Sequence, residues 1–142
     1  MLYQTRVSNQ DGIKGQLYFS DNQELATKHP LEEGTGYNPE QLIASAWATC
    51  LNATIQSILE SKGLSHDSRV DITVTLCKEK HEPGYYFQVD AQAAIDQLSL
   101  EDAEAIIAQA HLRCPVSKLL VGAKTLTLKT VVYLKKDLEL VL

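Results

Sequence analysis

The sequence predicts an α+β fold: an N-terminal β-hairpin, a long buried central helix, a second β-hairpin, a helix pair and a final strand, in a single domain over residues 1–142. Three observations predict it. Asn38-Pro39 opens a stretch that stays small and apolar almost all round as far as Gly63. Residues 68–78 alternate strictly between apolar and polar, and a capped helical segment after Ser99 runs into Cys114-Pro115. Strands first, then a helix, then strands and helices again is an α+β order rather than repeated βαβ units. A chain of 142 residues can enclose one good core.

Residues 2–8 and 13–20 read as two strands around Asn9-Gln10-Asp11-Gly12, where Asp-Gly is a strong hairpin signal. A short strand is expected near Glu24 to Thr27, followed by a long connection, residues 29–37, with Gly34 and Gly36. Loops of this kind beside a rigid helix often carry function. Asn38 is a good N-cap, Pro39 suits the first helical position, and Glu40 in the first turn complements the helix dipole. The helix is expected from Pro39 to about Lys62, with Gly63 as the residue after its end. A helix apolar on most sides is a buried one.

The clearest strand covers residues 68–78, with Val70, Ile72, Val74 and Leu76 on one side and Cys77 on the polar, exposed side. Tyr85 to Ala93 returns antiparallel after the turn at residues 80–84. Ser99 caps the next helix, Ala103, Ile106, Ile107 and Ala110 follow at helical spacing, and Pro115 breaks it. A short helix restarts over residues 116–121 and stops at Gly122, a last strand spans Thr125 to Leu134, and residues 135–142 form a tail with an apolar end suited to docking.

Thirteen basic against eighteen acidic residues give a net charge of −5, and there is no basic block to neutralise phosphates. That argues against nucleic-acid and anionic-membrane partners. No apolar run approaches the roughly 20 residues of a membrane span, and the N-terminal residues lack a signal-peptide pattern. A cytoplasmic location is expected, where thiols are kept reduced. Cys50, Cys77 and Cys114, spaced 27 and 37 apart, have no zinc-finger rhythm.

Cys50 has two open readings, a small core residue or a reactive thiol. Cys50 and Cys114 both fall on apolar helical faces that a sheet with two helices would bring together, and adjacent cysteines form reversible disulfides. A reactive Cys50 needs a positive or hydrogen-bonding neighbour. Glu40 lies ten residues before it, about 15 Å away along an unbroken helix, so joint action needs a bent helix start or a second subunit. His111, one turn before Cys114, is either a thiol activator or a half-buried hydrogen-bonded residue. A zinc site from Cys50, Cys114 and His111 lacks a fourth ligand, so no metal is expected. Tyr37 and Trp47 either line an apolar substrate pocket or belong to the core. Ser117 is read as a cap of the short helix, with a hydrogen bond to Cys50 as the other option.

Asn38-Pro39-Glu40-Gln41-Leu42 with Cys50 ten after the Glu, and Ala110-His111-Leu112-Arg113-Cys114-Pro115-Val116-Ser117, resemble the OsmC/Ohr family of thiol-dependent hydroperoxide reductases. The resemblance covers roughly residues 3 to 134. The Asn-Pro-Glu-Gln-Leu string is more like the Ohr branch and Cys-Pro-Val-Ser more like the OsmC branch, so no branch is assigned. The resemblance implies Cys50 as the peroxidatic and Cys114 as the resolving cysteine, with Glu40 holding an arginine and orienting the peroxide. It implies an intertwined homodimer with both sites at the interface. It also implies no bound cofactor and an external dithiol reductant, a lipoylated protein in the Ohr branch.

One departure is evident. The stretch comparable to the family's arginine-bearing hairpin, residues 10–16, contains no arginine; Lys14, Arg6, Arg113 and His111 are the candidates for thiolate activation. Three functions follow: a peroxidase for organic hydroperoxides, a catalytically weak dimer of the same fold that binds a small apolar ligand, and a general dithiol redox protein.

Overall fold

The computed structural model describes residues 1–134, so the tail reading at 135–142 lies outside the described residues. Backbone contacts divide the chain into two compact units, Met1–Leu42 and Ile43–Leu142.

The first unit is built on a three-stranded antiparallel sheet of β1 (Val7–Asn9), β2 (Gly15–Phe19) and β3 (Glu24–Thr27), in that order. β1 is shorter than the expected 2–8, and Met1, Leu2 and Tyr3 are exposed. A loosely alternating segment without a buried face gains little from pairing. At the hairpin, the Asn9 side chain accepts from the Gly12 amide at 2.7 Å and donates to the Gly12 carbonyl at 2.8 Å. The long connection returns to the sheet at Tyr37, whose amide donates to the Ala26 carbonyl at 2.9 Å. Gly36 permits that approach: its φ is +143°, and a Cβ there would stand 2.9 Å from the Thr27 carbonyl carbon.

Helix α1 runs Pro39–Ser61. Its start is a reciprocal cap, with the Gln41 amide donating to Asn38 Oδ1 at 2.8 Å and the Asn38 amide to Gln41 Oε1 at 2.9 Å. Its end is closed by Gly63 at φ +72°, with the Leu64 amide donating to the Leu59 carbonyl and the Gly63 amide to the Glu60 carbonyl. By length and composition α1 is apolar enough to cross a membrane, a correction to the expectation that no segment approaches that size. Its stripe of Trp47, Leu51, Ile55, Ile58 and Leu59 is instead buried in the core of the second unit.

That core is closed by a three-stranded sheet of β4 (Ser68–Lys78), β5 (Tyr85–Ile95) and β6 (Leu126–Thr130), in that order, and by α2 (Leu100–Arg113). β5 supplies Val89, Ala91, Ala93 and Ile95, and α2 supplies Ala103, Ile106, Ile107 and Ala110. β4 and β5 pair antiparallel over eleven residues each, whereas β6 adds parallel to β5 and stops at Thr130, short of the expected Leu134. Val70, Ile72 and Val74 pack on the core, but Leu76, expected on the same side, is 48% exposed and lies outside that packing. Cys77, expected to be exposed, is half-buried opposite Tyr86.

Candidate active site

Ser99 caps α2 as expected, its side chain accepting from the Asp102 amide at 3.1 Å. The other end of α2 departs from the sequence reading. Cys114 does not lie on a helical face; it is the junction itself, ending α2 and forming the N-cap of α3 (Pro115–Leu120). Pro115 holds the preceding residue off helical angles, and Cys114 sits at φ −62°, ψ 120°. Its sulfur accepts from the Ser117 amide at 3.4 Å, so Cys114 rather than Ser117 does the capping.

That geometry swings Cys114 Sγ to 3.1 Å from Cys50 Sγ, hydrogen-bonding distance for a reduced pair 64 positions apart. Cys114 is fully buried and Cys50 only half-buried. The two thiols are driven in opposite directions. Burial pushes Cys50 up, and the neighbouring Cys114 adds to that. Burial also opposes ionisation of Cys114, but the Ser117 hydroxyl and amide, Cys50 and the Val116 amide together outweigh it, and Cys114 is drawn down.

Trp47 is in the core, with no exposed surface, and its indole donates to Ser117 Oγ at 2.8 Å. The sequence reading missed this contact. The ring of His111 lies 6.4 Å from that of Trp47, its Nδ1 is buried without a hydrogen-bond partner among the described residues, and it lines a groove of about 720 Å³ with Leu112, Leu128 and Lys129. Arg113 is exposed.

In the first unit, Lys14 pairs with Glu32 at 2.9 Å, both ends well exposed, and Arg6 is exposed. Tyr37 is 51% exposed. Glu40 Oε2 is buried without a hydrogen-bond partner among the described residues. α1 is unbroken from Pro39 to Ser61, so Glu40 and Cys50 stay ten residues apart on it. Ile13, Leu17, Pro39 and Leu42 line an apolar pocket of about 320 Å³. Among the described residues no group of three or more His, Cys, Asp or Glu is placed to hold a metal ion.

Comparison with known proteins bears on this site. The model of the OsmC-like protein family matches residues 32–129. The organic hydroperoxide resistance protein OhrA of Bacillus subtilis is 31% identical over 136 residues, 90% of this chain and 95% of its own. The organic hydroperoxide resistance protein-like 2 of Staphylococcus epidermidis is 32% identical over 123 residues, 82% and 87% of the two chains. Among solved structures, an organic hydroperoxide resistance protein OsmC from Legionella pneumophila superposes with a TM-score of 0.81 at 29% identity, covering 94% of this chain and 99% of that one. OhrB of Bacillus subtilis gives a TM-score of 0.81 at 25% identity, covering 94% and 100%.

Proposed function

Because the chain belongs to the OsmC-like protein family, whose relatives named above are organic hydroperoxide resistance proteins, we propose that it is a cysteine-based peroxidase reducing organic hydroperoxides. The observation that carries this reading is the reduced sulfur pair at 3.1 Å, with the half-buried Cys50 reachable and Cys114 sealed behind it.

Cys50, once it has given up its proton, attacks the distal peroxide oxygen as the thiolate. The O–O bond breaks, the alkoxide takes a proton and leaves as the alcohol, and Cys50 becomes a sulfenic acid. Cys114 then attacks that sulfur, expelling hydroxide and closing a disulfide. An external dithiol, of the lipoyl-protein type, returns both to thiols. Glu40 is assigned to orient the peroxide, and its buried Oε2, without a hydrogen-bond partner among the described residues, supports this. Lys14, Arg6, Arg113 and His111 remain the candidates for thiolate activation; Lys14 reaches the role only by leaving Glu32.

The working form is assigned as a cytoplasmic homodimer with two sites at its interface. Supporting this, the small residues Ala46, Thr49 and Ala53 share one face of α1 and are exposed. A second reading, a weakly catalytic dimer that binds a small apolar molecule, is favoured by the pocket around Ile13, Leu17, Pro39 and Leu42.

Stopped-flow mixing of the reduced protein with cumene hydroperoxide and with hydrogen peroxide tests the function. Rapid thiol loss with the organic peroxide, abolished by Cys50→Ser, is the expected result. Loss no faster than free cysteine moves the assignment to ligand binding, and slow loss indifferent to the peroxide moves it to general dithiol exchange.

A further inference from the structure

We propose that Ser117, aimed by the indole of Trp47, is a positioning residue that holds the Cys114 sulfur ready to attack oxidised Cys50; this rests on the peroxidase reading above. Two pairs of residues make the arrangement. Trp47 and Cys50 lie three apart on α1, so they share a face. Cys114 and Ser117 lie three apart at the start of α3. Where the two elements meet, Trp47 Nε1 stands 2.8 Å from Ser117 Oγ, and Cys114 Sγ stands 3.1 Å from Cys50 Sγ.

An indole nitrogen only donates, so Ser117 Oγ is the acceptor of that bond. A hydroxyl has a single proton to give, and with the indole on one side that proton is directed to the other. Cys114 Sγ receives the Ser117 amide at 3.4 Å, and the Ser117 hydroxyl leads the groups that draw its pKa down against burial. Trp47, Ser117 and Cys114 have no exposed surface. Water therefore cannot substitute for these donors, and a buried sulfur facing two of them favours its ionised form. The titratable groups near this chain of contacts are Cys50 from α1 and His111 from α2.

The consequence is a division of labour between the two sulfurs. Cys114 keeps the donors that favour its thiolate, while Cys50 keeps the accessible position. Once Cys50 carries its oxygen, the Cys114 thiolate attacks the Cys50 sulfur. The S–S bond forms, the S–O bond breaks, and hydroxide departs; the oxidising equivalents come from the peroxide already consumed. A bond that served only to satisfy two buried polar groups would change stability and leave this step alone.

The test has two arms. In the Cys50→Ser/Cys77→Ser background, Cys114 is the remaining cysteine, and its ionisation is followed by thiolate ultraviolet absorbance against pH. Ser117→Ala is expected to move the Cys114 midpoint up by about one pH unit, Trp47→Phe by a smaller step of the same sign, and the double variant no further than Ser117→Ala alone. In the full protein, one equivalent of cumene hydroperoxide is added and disulfide closure is timed separately from sulfenic acid formation. Ser117→Ala is expected to slow closure by about tenfold relative to the preceding step.

An unmoved Cys114 midpoint in both variants, or closure at the parent's pace, overturns the proposal. So does a Trp47→Phe effect that persists in full after Ser117→Ala. If Ser117→Ala fails to fold, Trp47→Phe, which keeps a ring in the core, decides both arms. If the parent leaves the hydroperoxide intact, the peroxidase reading falls instead, and the titration arm alone decides whether Ser117 holds the Cys114 charge.

Discussion

Cys114 Sγ stands 3.1 Å from Cys50 Sγ because Pro115 ends one helix and starts the next at that residue. A disulfide bond is about 2.05 Å long, so closing the pair takes roughly 1 Å of sulfur movement. Side-chain rotation supplies that much without unwinding α1 or α2. The proposed oxidation and reduction would therefore need no change in the helical frame.

Closing that bond joins residues 64 apart, and the chain-entropy cost of such a loop is then removed from the unfolded state. The oxidised protein should be more stable than the reduced one by up to about 4 kcal/mol. Urea unfolding of Cys77→Ser with and without a dithiol measures the gap. Equal midpoints would mean that the bond does not form, or that strain cancels it.

Cys114→Ser should complete the first step with organic hydroperoxide and then stall as a sulfenic acid, or pass to the sulfinic acid with excess peroxide. Mass spectrometry of the Cys50 peptide reads this directly. Sustained turnover with a dithiol at the parent's rate would remove Cys114 from the resolving role.

Leu51 has no exposed surface and belongs to the core stripe of α1 one residue beyond Cys50. Leu51→Ala should cost about 2–5 kcal/mol, from lost burial and an incompletely collapsed cavity. Denaturant unfolding gives the value, and a loss well under about 1 kcal/mol would mean that the stripe is less tightly enclosed than its burial indicates.

Much of this fold is legible because its stops are local. Asn38-Pro39, Gly63, Ser99 and Cys114-Pro115 each set a helix end through their own backbone preferences, and each end is where those residues place it. The β4–β5 hairpin is legible for the same reason, through alternation. The meeting of Cys50 with Cys114 is legible in outline, since two apolar faces must share one core. Its geometry is not, because the sequence suggests a helical position for Cys114 where proline makes a junction. The parallel direction of β6 leaves no trace in composition, which carries no strand direction. The Trp47–Ser117 bond spans 70 positions and depends on how two helices are rotated, so residue types alone cannot announce it. The third cysteine is half-buried because cross-strand Tyr86 covers it, a matter of register rather than of polarity.

Asp90 ties the two strands whose relative direction the sequence leaves open. Its Oδ1 accepts from Thr127 Oγ1 at 2.6 Å and from Gln88 Nε2 at 2.9 Å, and Thr127 is its register partner on β6. The Thr127 hydroxyl first, then the Gln88 amide, holds its carboxyl below the usual carboxylate range. A carboxylate with a depressed folded value stabilises the fold at pH values above its unfolded value, about 3.9, and loses that contribution as pH falls through the folded value. Asp90→Asn removes the titrating group and weakens the Thr127 bond. The variant should be the less stable of the two at pH 7, and the gap should shrink steadily as pH falls below about 4. Thermal unfolding of both proteins across that range reads the outcome. A gap that stays constant to low pH would show that the Asp90 charge takes no part in fastening β6 to β5.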